Sequence, residues 1–198
     1  MTTGRLSVVN FVSIDGVVQS PLSQDEDRDG GFDQGGWAAP YSDDVLDQFM
    51  RDSTVGASGM LLGRRSYEIL RTAWADADER EPAVAAMNRM PKYVVSSSSG
   101  NFGWSNSHWV EGDLGSAVIK LKRDIDGDLV VFGSAALVRG LARLDLVDEY
   151  RLLLIPVLLG AGKRMFDGDV ALARFSLVDT VVSPSGVAIH SFVRDTVT

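Results

Sequence analysis

The sequence contains no cysteine and only two histidines among its 198 residues. Without cysteine there is no disulfide, no thiolate zinc site and no cysteine nucleophile. His108 and His190 stand far apart with no metal-ligand spacing, so no metal site is expected. His190 alternates with Ala188 and Phe192 and reads as a structural strand residue. Long apolar runs are missing too: nothing approaches the roughly 20 residues that span a bilayer, so no membrane partner is expected. The opening stretch MTTGRLSVVNFVSIDG lacks a signal-peptide core followed by a small-residue cleavage site, and a cytoplasmic location is the simple expectation. Positive charge is scarce, with 19 Lys and Arg against 27 Asp and Glu and a net charge of −8. That balance argues against nucleic acid as a partner, while a local pair such as Arg64-Arg65 can still meet a small anion. The chain has no GxSxG elbow, no GxxxxGK[ST] loop, no HExxH, and no GxGxxG after its first strand.

What is present is an alternation of strand and helix patterns over a single domain, residues 1–198. A 45% hydrophobic and 23% charged composition suits an ordinary globular core. Residues 5–12 (RLSVVNFV) read as the first strand and 13–16 (SIDG) as its exit turn. Residues 17–40 are polar and aperiodic, a loop long enough to be functional, and Trp37 within it is a candidate cover for a ligand. Ser42 is the expected cap of a helix with Val45, Leu46, Phe49 and Met50 on one face. Strands follow at 57–62, 92–95 and 107–111, with a helix starting near Gly63; residues 76–89 read as a surface helix or loop, and 114–123 as an amphipathic helix. The run Leu129–Phe132 is a buried strand, Gly133-Ser134 its exit, and Leu137, Val138, Leu141 and Leu144 mark the helix behind it. Another strand opens at Val147 and closes at Pro156 before the turn Leu159-Gly160-Ala161-Gly162. Strands at 174–182 and 187–193, joined by Pro184-Ser185-Gly186, form an antiparallel hairpin. The expected class is therefore α/β, three-layered, with a mixed, mainly parallel central sheet and an antiparallel C-terminal hairpin.

Three strand ends carry residues suited to phosphates: Gly63-Arg64-Arg65-Ser66, Ser96-Ser97-Ser98 and Gly133-Ser134-Ala135. In an open α/β sheet, ligands bind beyond the carboxyl ends of the strands. An arginine fork with hydroxyls beside it suits a phosphate monoester such as the 2′-phosphate of NADP. Small-residue helix starts suit a pyrophosphate. Asp15, in the turn leaving the first strand, is a candidate ligand contact. Asp43-Asp44 reads instead as the first turn of a helix.

These residues together resemble a known group. Phe11-Val12-Ser13-Ile14-Asp15-Gly16, Leu62-Gly63-Arg64-Arg65-Ser66-Tyr67-Glu68 and Lys92-Tyr93-Val94-Val95-Ser96-Ser97 look like dihydrofolate reductases, in the same order. The closer resemblance is to the reductase domain of the bacterial bifunctional riboflavin-biosynthesis deaminase–reductase. It extends through Leu146-Val147-Asp148-Glu149 and Pro156-Val157-Leu158-Leu159-Gly160 and covers nearly the whole chain. The resemblance implies a dihydrofolate reductase-like fold, an NADPH cofactor, a homodimer and a small-molecule substrate. By motif, Arg64, Arg65 and Ser66 would hold the 2′-phosphate and pyrophosphate, Ser96 and Ser97 the adenosine phosphate, and Gly63, Gly133, Ser134 and Ala135 the pyrophosphate. Asp15 and the turn with Leu159, Gly160 and Gly162 would border the nicotinamide and substrate. Lys163 and Arg164 are the basic residues placed for a ribose phosphate. Hydride would pass to a C=N or C=O of a pyrimidine- or pteridine-like ring under a lid carrying Trp37, with water or Asp15 supplying the proton.

Three departures stand out. Aligning Phe49 with the aromatic of the reductase helix puts Val45 where dihydrofolate reductases carry a carboxylate, with Asp44 one step off; one step is about 100° of helix. The cytidine-deaminase signature H-x-E…P-C-x-x-C is absent. Basic residues for a phosphorylated substrate are few. Dihydrofolate reductase proper and a non-catalytic NADP-binding protein are the alternatives.

Overall fold

A strand apolar on both sides has to be covered on both sides, and the sheet satisfies that demand. The computed structural model describes residues 4–100, 102–168, 170 and 172–195. Its elements are β1 (Arg5–Ser13), α1 (Asp44–Val55), β2 (Ala57–Gly63), α2 (Arg64–Trp74), α3 (Pro82–Arg89), β3 (Lys92–Val95) and β4 (Ser107–Val110). There follow α4 (Leu114–Asp124), β5 (Asp128–Phe132), α5 (Ala135–Arg143), β6 (Glu149–Ile155), β7 (Phe175–Val182) and β8 (Ala188–Arg194). The strands order β4-β3-β2-β5-β1-β6-β8-β7. Every pair from β4 to β6 is parallel, and β8 pairs antiparallel with both β6 and β7. The expected class is the observed one.

Chirality explains the layers. From β1 the chain steps through β2 to β3 in one direction across the sheet, then returns through β5 to β6 in the other. Right-handed crossovers in opposite directions put their helices on opposite faces. Accordingly Leu46, Tyr67 and Met87 of α1, α2 and α3 share one core with Met60, Leu62 and Val130. Val118, Leu137, Val138 and Leu141 of α4 and α5 share the other with Leu6, Val8, Leu61 and Val131. Alternation along β1, β2 and β5 feeds both cores, which is why these strands read as unbroken apolar runs.

Some boundaries move. Asp43, not Ser42, caps α1, its carboxylate accepting from the amides of Val45 and Leu46 at 3.0 Å each. The same side chain takes the Ser185 amide at 2.9 Å and so ties the C-terminal hairpin turn to α1. These contacts, the Leu46 amide first, hold its carboxyl well below the usual range. The segment read as a surface helix or loop contains α3, which buries Val84, Ala86 and Met87. Among the described residues no helix is long and apolar enough to cross a membrane.

The amino ends of the strands are fastened by charge. Arg5 and Arg151 share Asp128 and Glu149 at 2.9–3.4 Å. Lys92 at the start of β3 is fully buried. Its ammonium donates to the carbonyls of Met87, Asn88 and Met90 at 2.6–3.0 Å and lies over the Trp104 ring. Burial pushes it down to about 8. It closes the last turn of α3, where free carbonyls favour a cation. Lys92→Met keeps the volume and strands those carbonyls; it is expected to cost about 2–3 kcal/mol of unfolding free energy by urea titration. A loss under about 0.5 kcal/mol would show that water replaces the ammonium.

Candidate active site

The site begins where the sheet ladder stops. Pairing of β1 with β5 ends at Val9 and Phe132. The next rung is a side chain: the buried Asn10 amide oxygen accepts from the Gly133 N–H at 2.6 Å, and its Nδ2 donates to the Gly133 carbonyl at 3.2 Å. Gly133 (φ 63°) and Ser134 (φ 56°, ψ 51°) are both left-handed, so the chain turns sharply from β5 into α5. A second brace joins this turn to the start of α2. The Gly63 N–H donates to Ser134 Oγ and the Ser134 N–H donates to Ser66 Oγ, both at 3.0 Å. Each hydroxyl thus accepts a backbone proton from the opposite turn and keeps its own proton to donate.

Beyond these turns lies a cavity of about 710 Å³. That is within the usual 300–1,000 Å³ of small-molecule sites. Helices α2 and α5 both begin on its wall. Their starts differ from those of α1 and α4, which are capped by Asp43 and Asp113. No side chain at the cap position accepts from the first turn of α2 or α5. Uncapped helix starts beside a cavity present N–H groups and a partial positive charge to whatever fills it. At the other end the wall is apolar, with Phe11, Met50, Leu70, Trp74 and Met87, and Thr54 among them. Among the described residues, α1 gives this wall Met50 and Thr54 and no carboxylate.

Of the predicted site residues, Gly63, Arg64, Arg65, Ser66, Gly133, Ser134, Ala135 and Lys163 line this one cavity. Those after β2 and β5 come together because the two strands are parallel neighbours in the sheet, and Lys163 arrives from the segment after β6. The two arginines part company there. Arg64 pairs with Glu68 at 2.7 Å, and its guanidinium carbon lies over Phe102, 5.0 Å from the ring centroid. Arg65 reaches across the cavity mouth to Asp27 and Asp29 at 2.6 and 3.0 Å. Lys163 meets the same two carboxylates at 2.9 and 2.8 Å.

Other candidates lie outside the lining. Ser96 and Ser97 follow β3, but only Val95 of that strand reaches the cavity, and the Ser96 carbonyl accepts from the Trp109 indole. Trp37 is buried, not poised: its indole donates to the Gln19 carbonyl at 2.8 Å. Leu159 and Gly160 turn their amides to the Asp15 carboxylate at 3.1 and 2.9 Å. Gly162 (φ 113°) packs so closely that a Cβ would stand 2.7 Å from Val17 and 2.9 Å from Phe32, which makes it a packing glycine. Asp15 itself also accepts from Ser13 Oγ and pairs with Arg164. It clasps the β1 exit to the turn after β6 and is no part of the cavity wall.

Residues that sequence reasoning missed are Asn10, Gln19, Glu26, Asp27 and Asp29. Asn10 and Ser7 are the polar side chains inside an otherwise apolar strand, and the amide of Asn10 was a signal there to use. Gln19 and the carboxylates sat in an aperiodic loop with no pattern to single them out. Glu26 lines the cavity; burial raises its carboxyl, opposed by the amides of Leu22 and Ser23. Among the described residues no group of three His, Asp or Glu is placed to hold a metal.

With this geometry in view, the comparisons are consistent. The family described as the RibD C-terminal domain matches residues 5–189, and the chain belongs to that family, a reductase domain of dihydrofolate reductase-like fold. An uncharacterised Bacillus subtilis protein, YyaP, is 28% identical over 135 residues, 65% of this chain and 69% of that one. A Shewanella sp. PV-4 protein solved as a candidate riboflavin biosynthesis protein superposes with a TM-score of 0.68 at 16% identity, over 97% of this chain and 99% of that one. A pyrimidine reductase-like protein of Corynebacterium diphtheriae gives 0.67 at 11%, over 98% and 92%. Enterococcus faecalis dihydrofolate reductase, solved with NADP(H) and RAB-propyl, gives 0.61 at 13%, over 98% of both chains.

The clasp makes a prediction that separates structure from catalysis. The Ser13 hydroxyl first, then the Leu159 amide, lowers the Asp15 carboxyl from 3.8 to about 2. A depressed carboxyl stabilises the fold above its unfolded value and loses that contribution as the pH falls through the folded one. Asp15→Asn is therefore expected to lower the melting temperature at pH 7, with the gap from wild type narrowing between about pH 4 and pH 2. If the variant melts like wild type at pH 7 but loses turnover, Asp15 acts in the chemistry after all.

Proposed function

We propose that the chain is an NADPH-dependent reductase that passes hydride to a C=N or C=O carbon of a pyrimidine- or pteridine-like ring. One observation carries the reading: two uncapped helix starts, braced to each other, face a single cavity at the carboxyl ends of β2 and β5. The residues present fit a dinucleotide. Ser66 and Ser134 have hydroxyl protons to donate and the first-turn amides of α2 and α5 are at hand, a donor set for a pyrophosphate. Arg64, over the Phe102 ring and paired with Glu68, offers a fork for a 2′-phosphate. Gly133 has φ 63°, a left-handed conformation that a side chain would strain, and a Cβ there would stand 3.4 Å from Ser66 Oγ.

The nicotinamide, when bound, supplies the hydride. The chain's own part is to hold the two rings together and exclude water. Phe11, Met50, Leu70 and Trp74 give the ring-binding end an apolar wall. For folate itself a carboxylate on α1 is wanted, and α1 offers Met50 and Thr54 instead, which weighs against dihydrofolate reductase proper. Proton delivery falls to water or to the loop carboxyl Glu26 rather than to Asp15, which stands apart from the cavity wall.

The cofactor reading is tested by thermal shift. NADPH is expected to bind about tenfold or more tightly than NADH, the worth of one charge-assisted contact. Arg64→Ala should bring the two to parity. Equal responses in the wild type would sink the 2′-phosphate assignment. Tight NADPH binding with no oxidation across a panel of imines and carbonyls would favour a non-catalytic protein.

A homodimer is the second part of the proposal, and β7 supports it. This eight-residue strand ends the sheet order, and Leu177, Val178, Val181 and Val182 on it are 38–68% exposed. A long apolar edge strand invites pairing with another chain. Val178→Glu is expected to shift the mass measured by light scattering from dimer to monomer. An unchanged mass would place the contact elsewhere.

A further inference from the structure

Two of the cations that line the cavity, Arg65 and Lys163, are already matched by carboxylates. Arg64, Arg65, Arg139 and Lys163 line it, as do Glu26, Asp27 and Asp29. With Arg64 assigned to the cofactor, Arg65 and Lys163 face Asp27 and Asp29, while Arg139 donates to the Arg164 carbonyl at 2.7 Å and Glu26 accepts from the Leu22 and Ser23 amides. Asp27 and Asp29 each bridge Arg65 and Lys163 at 2.6–3.0 Å, a closed quartet. Arg164, the neighbouring cation in sequence, is tied to the Asp15 carbonyl at 2.9 Å and its carboxylate at 3.3 Å.

The quartet is built in rather than gathered by chance on the surface. The Asp27 side chain is only 11% exposed. One buried amide sets its position from both sides. Gln19 Nε2 donates to the Asp27 and Asp29 carbonyls at 3.0 and 2.9 Å, and Gln19 Oε1 accepts from the Lys163 N–H at 2.9 Å. Ser20 Oγ takes the Asp27 amide at 3.0 Å, and Trp37 holds the Gln19 carbonyl. The loop carrying the carboxylates and the strap carrying Lys163 are thus one rigid piece. A phosphate that drew Arg65 and Lys163 to itself would meet two carboxylates and leave the largely buried Asp27 unpaired beside it, a penalty that works against it.

We propose that the substrate of this site is an uncharged ring without a phosphate group, and that Asp27 and Asp29 are the specificity residues that refuse a ribose phosphate. The inference rests on the reductase reading of the same cavity, but its test does not depend on turnover. Ribose 5-phosphate and ribose are titrated calorimetrically into the full chain, with and without saturating NADPH, and NADPH binding is measured separately. With NADPH filling the cofactor's own phosphate positions, wild type is expected to bind neither sugar at millimolar concentration. Asp27→Asn/Asp29→Asn frees Arg65 and Lys163 and is expected to bind ribose 5-phosphate at least about tenfold more tightly than wild type, with ribose unchanged. Asp29→Asn alone, at the exposed member, should move the same way to a smaller extent and serves if the double variant does not fold. Wild type binding ribose 5-phosphate but not ribose would overturn the proposal, since the carboxylates would then be a latch that phosphate displaces. No gain in either folded variant would overturn it as well. Failure of NADPH to bind would count against the reductase reading alone.

Discussion

Everything at the cavity depends on one buried amide in the central strand. A parallel ladder cannot be opened without orphaning the groups that would have formed its next rung. Here β5 leaves β1 after Phe132, and Asn10 supplies both the acceptor and the donor that Gly133 would otherwise lack. The sheet can therefore part at its carboxyl end while staying closed at its core. The turn released by that parting is what points α5 at the cavity. An apolar residue at position 10 would suit the strand's periodicity better and would leave the part-buried amide and carbonyl of Gly133 unpaired.

Gln19 repeats the device one turn of chain later. It too is a buried amide replacing a backbone partner, this time between a loop and a strap that share no regular structure. The consequence reaches the charges. Exposed ion pairs contribute little by themselves because ordering two long side chains offsets the attraction. When the carboxylates sit on backbone already fixed by Gln19 and Ser20, that entropy is largely lost before Arg65 and Lys163 arrive. The quartet is then a property of the folded loop, and the long segment 17–40 is a fixed wall and not a free lid.

The fold was legible from the sequence for a physical reason. Strands buried on both faces must read as unbroken apolar runs, and helices between them must read as stripes, so β5 and α5 announced themselves. Two of the three phosphate-like strand ends, those after β2 and β5, were legible as a pair because neighbouring parallel strands deliver their exits to one edge, while the serines after β3 fall outside the cavity lining. Local chemistry does not specify what a charged side chain faces across a cavity. Arg64 and Arg65 are adjacent and alike in sequence, yet one lies on Phe102 and the other closes a loop. Asp15 looked like a ligand contact for the same reason that makes it a clasp: a carboxylate at a strand exit finds free amides, here those of Leu159 and Gly160. Trp37 looked like a lid because the contact that buries it, the Gln19 carbonyl, carries no sequence signal.

Ser134 shows how the site balances strain against function. A non-glycine residue in the left-handed region costs about 1 kcal/mol or more. Glycine at 134 would relieve that cost, and its neighbour Gly133 shows that the turn accepts it. The serine is held instead by what its hydroxyl does, receiving the Gly63 amide from the start of α2. A net hydrogen bond contributes about 1 kcal/mol, comparable to the strain. The two effects nearly cancel in stability, so the exchange is not made for stability. What the serine adds is registration: it fixes the distance between two helix starts that face the same cavity, and leaves a hydroxyl proton directed at whatever lies between them.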